Sequence, residues 1–222
     1  MKTFETYIYE MIGTFLLVFF GILSAVYSNE NIYIVALTFG FVVFITILLI
    51  GDKTGAHINP AVTINFYLRK KISFRTSVFY IAFQLLGSLF ASLLLFVILK
   101  DKNTLGANKV IIFDNSLWGI ILFGIIVEAF LVCILIWTIH LISLKSLYFK
   151  AISIGITITI LILIGFYLTG ASLNPARSIF PAIIEKGNAL NHLSIYIIGP
   201  ILGAMISAFI IRKKEVKNER KY

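Results

Sequence analysis

"GASLNPARS", residues 170–178, follows the apolar run 151–168 after a single Thr169, and apolar residues soon resume after it. The stretch sets an Asn, a Pro and a permanent cation, Arg177, where a greasy chain has least reason to place them. Residues 55–63, "GAHINPAVT", carry the same Gly-Ala-x-x-Asn-Pro-Ala pattern, with Asn59 and Asn174 115 positions apart. The repetition spreads outward from the two motifs. Glu10 opens "EMIGTFLLVFFG" and Glu128 opens "EAFLVCILIWTI". "YIAFQLLGSLFAS" (80–92) aligns with "YIIGPILGAMISA" (196–208), Tyr80 over Tyr196 and Gly87 over Gly203. One unit of about 115 residues has been duplicated.

Composition names the solvent. The 222 residues are 59% hydrophobic and 13% charged, against roughly 25% charged in soluble domains, and the mean hydropathy is +0.99. Runs near the spanning length of about 20 residues predict six spans at about 7–27, 32–51, 77–99, 117–139, 149–168 and 193–211. The expectation is one membrane channel domain over 1–222, with repeat halves 1–100 and 117–211 and a basic tail at 212–222. The first apolar run lacks a small-residue cleavage site, so it reads as a retained span.

The net charge of +9 is a topology signal. With the N-terminus inside, Lys2, Lys53, Arg69, Lys70, Lys71, Arg75, Lys145, Lys150, Arg212, Lys213, Lys214, Lys217, Arg220 and Lys221 fall on the cytoplasmic side. Lys100, Lys102, Lys109, Arg177 and Lys186 fall outside, a split of 14 to 5. This positive-inside bias puts both termini in the cytoplasm. The tail then anchors topology beside anionic lipid, and nucleic acid is not expected as a partner.

Each copy holds three spans, an odd number, so the second must enter the membrane from the opposite face. Inverted repeats of this kind place functional sites near mid-membrane. After each Pro the pattern predicts a short helix, about 60–68 and 175–184. Nine residues rise roughly 13 Å, near half the ~30 Å hydrocarbon thickness. Two such half-helices, entering from opposite faces, would meet in the middle.

Asn-Pro-Ala suits that meeting point. Pro fits the first helical position, where its missing N–H loses nothing, and Asn is a favoured N-cap. With Asn59 and Asn174 capping through their oxygens, their NH₂ groups remain to donate into the centre. Both half-positive helix N-termini also point there. Irregular backbone at this depth survives only when buried in protein or lining a wet cavity. Gly55, Ala56, His57, Ile58 and Gly170, Ala171, Ser172, Leu173 would therefore present a row of carbonyls. Donors at the waist, acceptors along the wall and positive potential at the centre suit small neutral hydrogen-bonding molecules and repel cations.

On "GAHINPAVT", "GASLNPARS", the span carboxyls Glu10 and Glu128, Gln84 with Gly87, and Gly199-Pro200 with Gly203, the chain resembles the major intrinsic protein superfamily of aquaporins and aquaglyceroporins, in its prokaryotic aquaporin type. The resemblance covers essentially the whole chain. It implies six transmembrane helices plus two re-entrant half-helices, an all-α membrane protein. It also implies passive conduction through each protomer, a homotetramer in the cell membrane, no cofactor and no enzymatic activity. Asn59, Pro60, Ala61 and Asn174, Pro175, Ala176 become the pore motifs. Carried over by spacing, Phe39, Ile162, Ala171 and Arg177 become the outer selectivity filter.

Strict water channels of that family have His where this chain has Ile162, and glycerol channels pair a Trp and a second aromatic with a Gly. Phe39, Ser178, Ala182 and Tyr196 follow the water type, whereas Ile162 and Ala171 make the ring less polar and Ala171 widens it. The expected cargo is water together with small uncharged solutes such as glycerol, ammonia and hydrogen sulfide. The alternatives are a glycerol facilitator with little water flux and a secondary transporter. Transporters couple through charged or unwound sites, and this interior offers Arg177 and two glutamates.

Glu10 and Glu128 are the acids inside spans, which makes them functional candidates. The resemblance gives them a bracing role on the loops before each half-helix; a proton relay is the competing role. His57 lines the inner vestibule on the same resemblance. His57, His140 and His192 lack metal-ligand spacing, so no metal is expected. Cys133, the single cysteine, excludes an internal disulfide and reads as a small packing residue.

Overall fold

The computed structural model describes residues 3–100, 105–110 and 116–219. Lys2, Lys102, Arg220 and Lys221 of the charge split lie outside them. Nine helices run through the described residues: α1 Phe4–Tyr27, α2 Ile32–Thr54, α3 Pro60–Leu68, α4 Phe74–Leu99, α5 Leu117–Leu141, α6 Leu147–Thr169, α7 Pro175–Glu185, α8 Gly187–Asn191 and α9 Leu193–Glu219. Six of these stretches are long and apolar enough to cross a bilayer, and their outward faces expose side chains such as Phe41, Ile126, Ile164 and Phe209. The chain is a multi-pass membrane protein.

The halves correspond as α1 to α5, α2 to α6, α3 to α7 and α4 to α9, and the packing obeys that correspondence. α1 packs on α4 as α5 packs on α9, and α3 lies against α9 as α7 lies against α4. α2 packs on α6, and α3 meets α7. The pseudo-two-fold axis runs where equivalent residues meet each other. A Cβ on Gly40 would fall 2.5 Å from the Gly155 carbonyl, and one on Gly155 would fall 2.8 Å from that of Gly40. These glycines are 115 positions apart, so α2 and α6 cross backbone to backbone in the manner of small-residue membrane interfaces.

The helices overrun several of the predicted spans. α2 continues to Thr54, α4 starts at Phe74 and α6 at Leu147. Apolar runs mark the hydrocarbon edge, whereas helices end at their caps, as Ser73 and Ser146 show by accepting from Thr76 and Phe149 amides. The largest departure is α9. It does not stop at 211 but carries the basic stretch on as helix to Glu219. The short helix α8 carries no apolar periodicity and was not expected.

Candidate conduction pore

α2 and α6 stop at Gly55 (φ 91°) and Gly170 (φ 75°), both in the left-handed region that ends helices. The following loops repeat one backbone shape: φ is 47° at Ala56 and at Ala171, 41° at Ile58 and 55° at Leu173. Each such non-glycine residue costs on the order of 1 kcal/mol or more and persists only when its surroundings hold it.

A buried carboxyl does the holding in each half. Glu10 accepts from the Thr54 hydroxyl at 2.7 Å, the His57 amide at 2.9 Å, the Ile58 amide at 2.7 Å and the Gln84 side chain at 2.8 Å. Glu128 accepts from the Thr169 hydroxyl at 2.7 Å and the Ser172 and Leu173 amides at 2.9 and 2.8 Å. Pro200 occupies the place of Gln84 in the second half, so among the described residues Glu128 has no equivalent of that fourth donor. Neither carboxyl borders the cavities described below. Two buried tyrosines complete the brace, with Tyr80 donating to the Thr54 carbonyl and Tyr196 to the Thr169 carbonyl, both at 2.8 Å.

Asn59 and Asn174 cap their half-helices as the sequence suggests, accepting from the Ala61 and Ala176 amides at 2.8 and 3.0 Å. Their NH₂ groups are not wholly left to the centre, however. Asn59 Nδ2 donates to the Leu173 carbonyl at 2.8 Å, and Asn174 Nδ2 donates to the Ile58 carbonyl at 2.9 Å. One N–H of each amide thus clasps the opposite loop, and one remains. The Ile58 and Leu173 carbonyls each accept from an asparagine and the Gly170 carbonyl from Asn108, and each carbonyl oxygen has a second lone pair. Pro60, Ala61, Pro175 and Ala176 are buried behind the junction, where Ser88 donates to the Ala176 carbonyl.

One cavity lies beside this junction, and a second joins it at Arg177. The inner one, about 80 Å³, is bordered by Phe66, Ile139, Gly55 to Asn59 and Ala171 to Asn174, room for a short file of waters. The outer one, about 250 Å³, is bordered by Glu30, Asn108, Lys109 and Gly170. Phe39, Ile162, Ala171 and Arg177 border both. Arg177 is buried, its Cζ 5.4 Å from the Phe39 ring centroid, and its Nη1 has no hydrogen-bond partner among the described residues. His57 borders the inner cavity, its Nδ1 3.1 Å from the Thr63 hydroxyl. Among the described residues no cluster of His, Cys, Asp and Glu could hold a metal.

Asn108 is the pore-side residue that the sequence did not disclose. It lies in residues 105–110, outside the duplicated motifs, donates to the Gly170 carbonyl at 2.8 Å and accepts from the Ser178 hydroxyl at 2.9 Å. Ser178 in turn lies 2.6 Å from Ser172 Oγ. Asn108→Ala should take the donor from the Gly170 carbonyl, while the Ser178 hydroxyl keeps Ser172, and cost roughly 1–3 kcal/mol, which lowers the thermal midpoint by about 2–4 °C per kcal/mol in a chain of this size. A tryptophan-fluorescence melt in detergent checks it; an unchanged midpoint would show that the contact contributes nothing.

Two half-helices meeting tip to tip among six spanning helices, braced by buried carboxyls, with a cavity past their tips, are the architecture of a membrane channel. Its relatives agree. The profile of the family described as "Major intrinsic protein" matches residues 1–211. "Glycerol uptake facilitator protein-like 6" of Lactiplantibacillus plantarum is 33% identical over 210 residues, 93% of this chain and 96% of that one. "Aquaporin-2" of Rattus norvegicus is 34% identical over 210 residues, 90% of this chain and 75% of that one. The X-ray structure of the aquaglyceroporin from Plasmodium falciparum superposes with a TM-score of 0.76 at 21% identity, over 93% of this chain and 94% of that one. The chain belongs to the major intrinsic protein family, whose members are channels and not enzymes.

Proposed function

We propose that the chain is a passive channel for water that also conducts glycerol, ammonia and hydrogen sulfide while excluding ions and protons. The observation that carries this reading is the cavity running past the Asn59 and Asn174 amides to Arg177. In it, the second N–H of each amide and the free Nη1 of Arg177 donate to passing oxygens. Two helix N-termini and a guanidinium make the path positive, so cations meet a barrier and neutral molecules do not. Phe39, Ile162 and Ala171 give the filter apolar walls, which lower the cost of admitting solutes larger than water. Gly55 to Ile58 and Gly170 to Leu173 supply the wall, with Glu10 and Glu128 as braces. The whole of 1–222 acts as one unit, its basic end in the cytoplasm. Four copies assemble in the cell membrane, each with its own pore, by the resemblance to the family and the positive-inside split.

Stopped-flow light scattering of proteoliposomes tests the cargo. Water and glycerol permeabilities should both exceed those of empty vesicles, and ammonia flux should rise with them. Glycerol flux with water at the empty-vesicle level would favour a glycerol facilitator, the activity in the printed name of the Lactiplantibacillus relative.

A further inference from the structure

We propose that the end of α9, where an apolar groove runs into Arg212, Lys213 and Lys217, binds one anionic phospholipid. The groove is about 870 Å³ and is walled on its other side by Leu68 at the end of α3. Its α9 lining falls at Met205, Ala208, Phe209, Arg212, Lys213, Val216 and Lys217, the three-and-four spacing of a single helix face. That stripe changes character along its length. Met205, Ala208 and Phe209 come first, and the cations begin at Arg212, directly after the apolar span.

The dimensions fit a lipid monolayer. Seven residues from Met205 to Arg212 rise about 10 Å, within the ~15 Å hydrocarbon half of one leaflet. Five more to Lys217 rise a further ~8 Å, into the headgroup zone. Phe209 and Met205 are exposed, so the apolar part is open to an acyl chain. Arg212 Nη1 donates to the Leu68 carbonyl at 3.2 Å, which fixes the guanidinium at the groove wall with its other N–H groups to spare.

Charge complementarity selects the headgroup. Glu215, the acid within this turn, is turned away and spent: its Oε1 is 2.6 Å from Arg69 and 3.3 Å from Lys71. Lys214 is also turned away, 4.7 Å above the Trp137 ring. Among the described residues, the groove's lining therefore presents three cations and no carboxylate. A phosphate bearing a net negative charge satisfies them, with its chain lying over Phe209 and Met205. The site rests on the membrane spans alone and is independent of which solute the pore carries.

Native mass spectrometry of the full chain in detergent, titrated with palmitoyl-oleoyl phosphatidylglycerol or with phosphatidylcholine of the same chains, tests the site. With each nearby cation contributing about fivefold toward an anionic lipid, the wild type should prefer phosphatidylglycerol by at least about tenfold. The triple variant Arg212→Gln, Lys213→Gln, Lys217→Gln should lose that preference while keeping its water flux. Lys217→Gln alone should weaken phosphatidylglycerol binding by about fivefold, which keeps the test open should the triple variant misfold. Met205→Trp should weaken both lipids by filling the groove. Equal binding of the two lipids by the wild type overturns the proposal, as does a preference that survives the triple variant. Binding of sn-glycerol 3-phosphate as tight as that of the lipid would make the site a soluble-phosphate site. A change in oligomer mass with Met205→Trp would make the groove a contact between copies. Either result overturns the assignment.

Discussion

Glu10→Ala is expected to prevent the protein from accumulating in the membrane, whereas Glu10→Gln should fold and keep part of its water flux. Removing the carboxyl leaves the Thr54 hydroxyl, the His57 and Ile58 amides and one Gln84 N–H facing a void. Glu10 is fully buried, away from bulk solvent. At roughly 1–3 kcal/mol for each orphaned group, the loss is about 4–12 kcal/mol, comparable with the ~5–15 kcal/mol that holds a whole domain together. The left-handed residues Ala56 and Ile58 would also lose what holds them. Gln in place of Glu10 retains one acceptor oxygen. Gln84 Oε1 is buried without a hydrogen-bond partner among the described residues, so a turned Gln84 amide can accept from the new NH₂. Detergent extraction with fluorescence-detected size exclusion reads the first outcome and proteoliposome shrinkage the second. Wild-type accumulation of Glu10→Ala would dismiss the brace. A folded Glu10→Gln with no flux would place the carboxyl in conduction itself.

Arg177→Val should produce a folded channel that leaks protons and cations. Arg177 Nη1 has no hydrogen-bond partner among the described residues, so truncation orphans no acceptor there and stability should hold. What is lost is a fixed positive charge at the place where the two cavities meet. A unit charge about 4 Å from a passing cation is worth ~4 kcal/mol at an effective dielectric of 20, or about a thousandfold in cation entry. Vesicles loaded with a pH-sensitive dye report the leak after an external pH jump, with water flux measured on the same preparation. A variant that conducts water and still holds the pH gradient would move cation exclusion to the half-helix tips.

Most of this architecture is legible in the chain because duplication prints it twice. Asn59 and Asn174, Glu10 and Glu128, and the glycines Gly55 and Gly170 each carry a chemical demand that has one good solution in lipid. The brace could have been read further: Thr54 and Thr169 directly precede those glycines, and Tyr80 matches Tyr196. What could not be read was where the tyrosine hydroxyls land, since the target carbonyls are 26 and 27 residues away across a helix interface. Asn108 was hidden for a different reason. It lies in a short polar stretch with no repeat and no period, and its role exists only through Gly170 and Ser178. Arg69 carried two meanings at once. It counts toward the positive-inside split, yet it is buried, 2.6 Å from Glu215 and 3.2 Å from His140. A topology rule reads charge by loop and is blind to such pairing.

The proposed solute path runs past the half-helix tips and Ala171. Mercuric chloride on Ala171→Cys proteoliposomes tests it most directly, because Ala171 borders both cavities whereas Cys133 borders neither and donates to the Gly203 carbonyl at 3.4 Å. Water flux through the wild type should persist in mercury, and flux through Ala171→Cys should stop and return with a thiol reductant. Block of the wild type through Cys133, or unimpeded flux through a mercurated Ala171→Cys, would contradict the path.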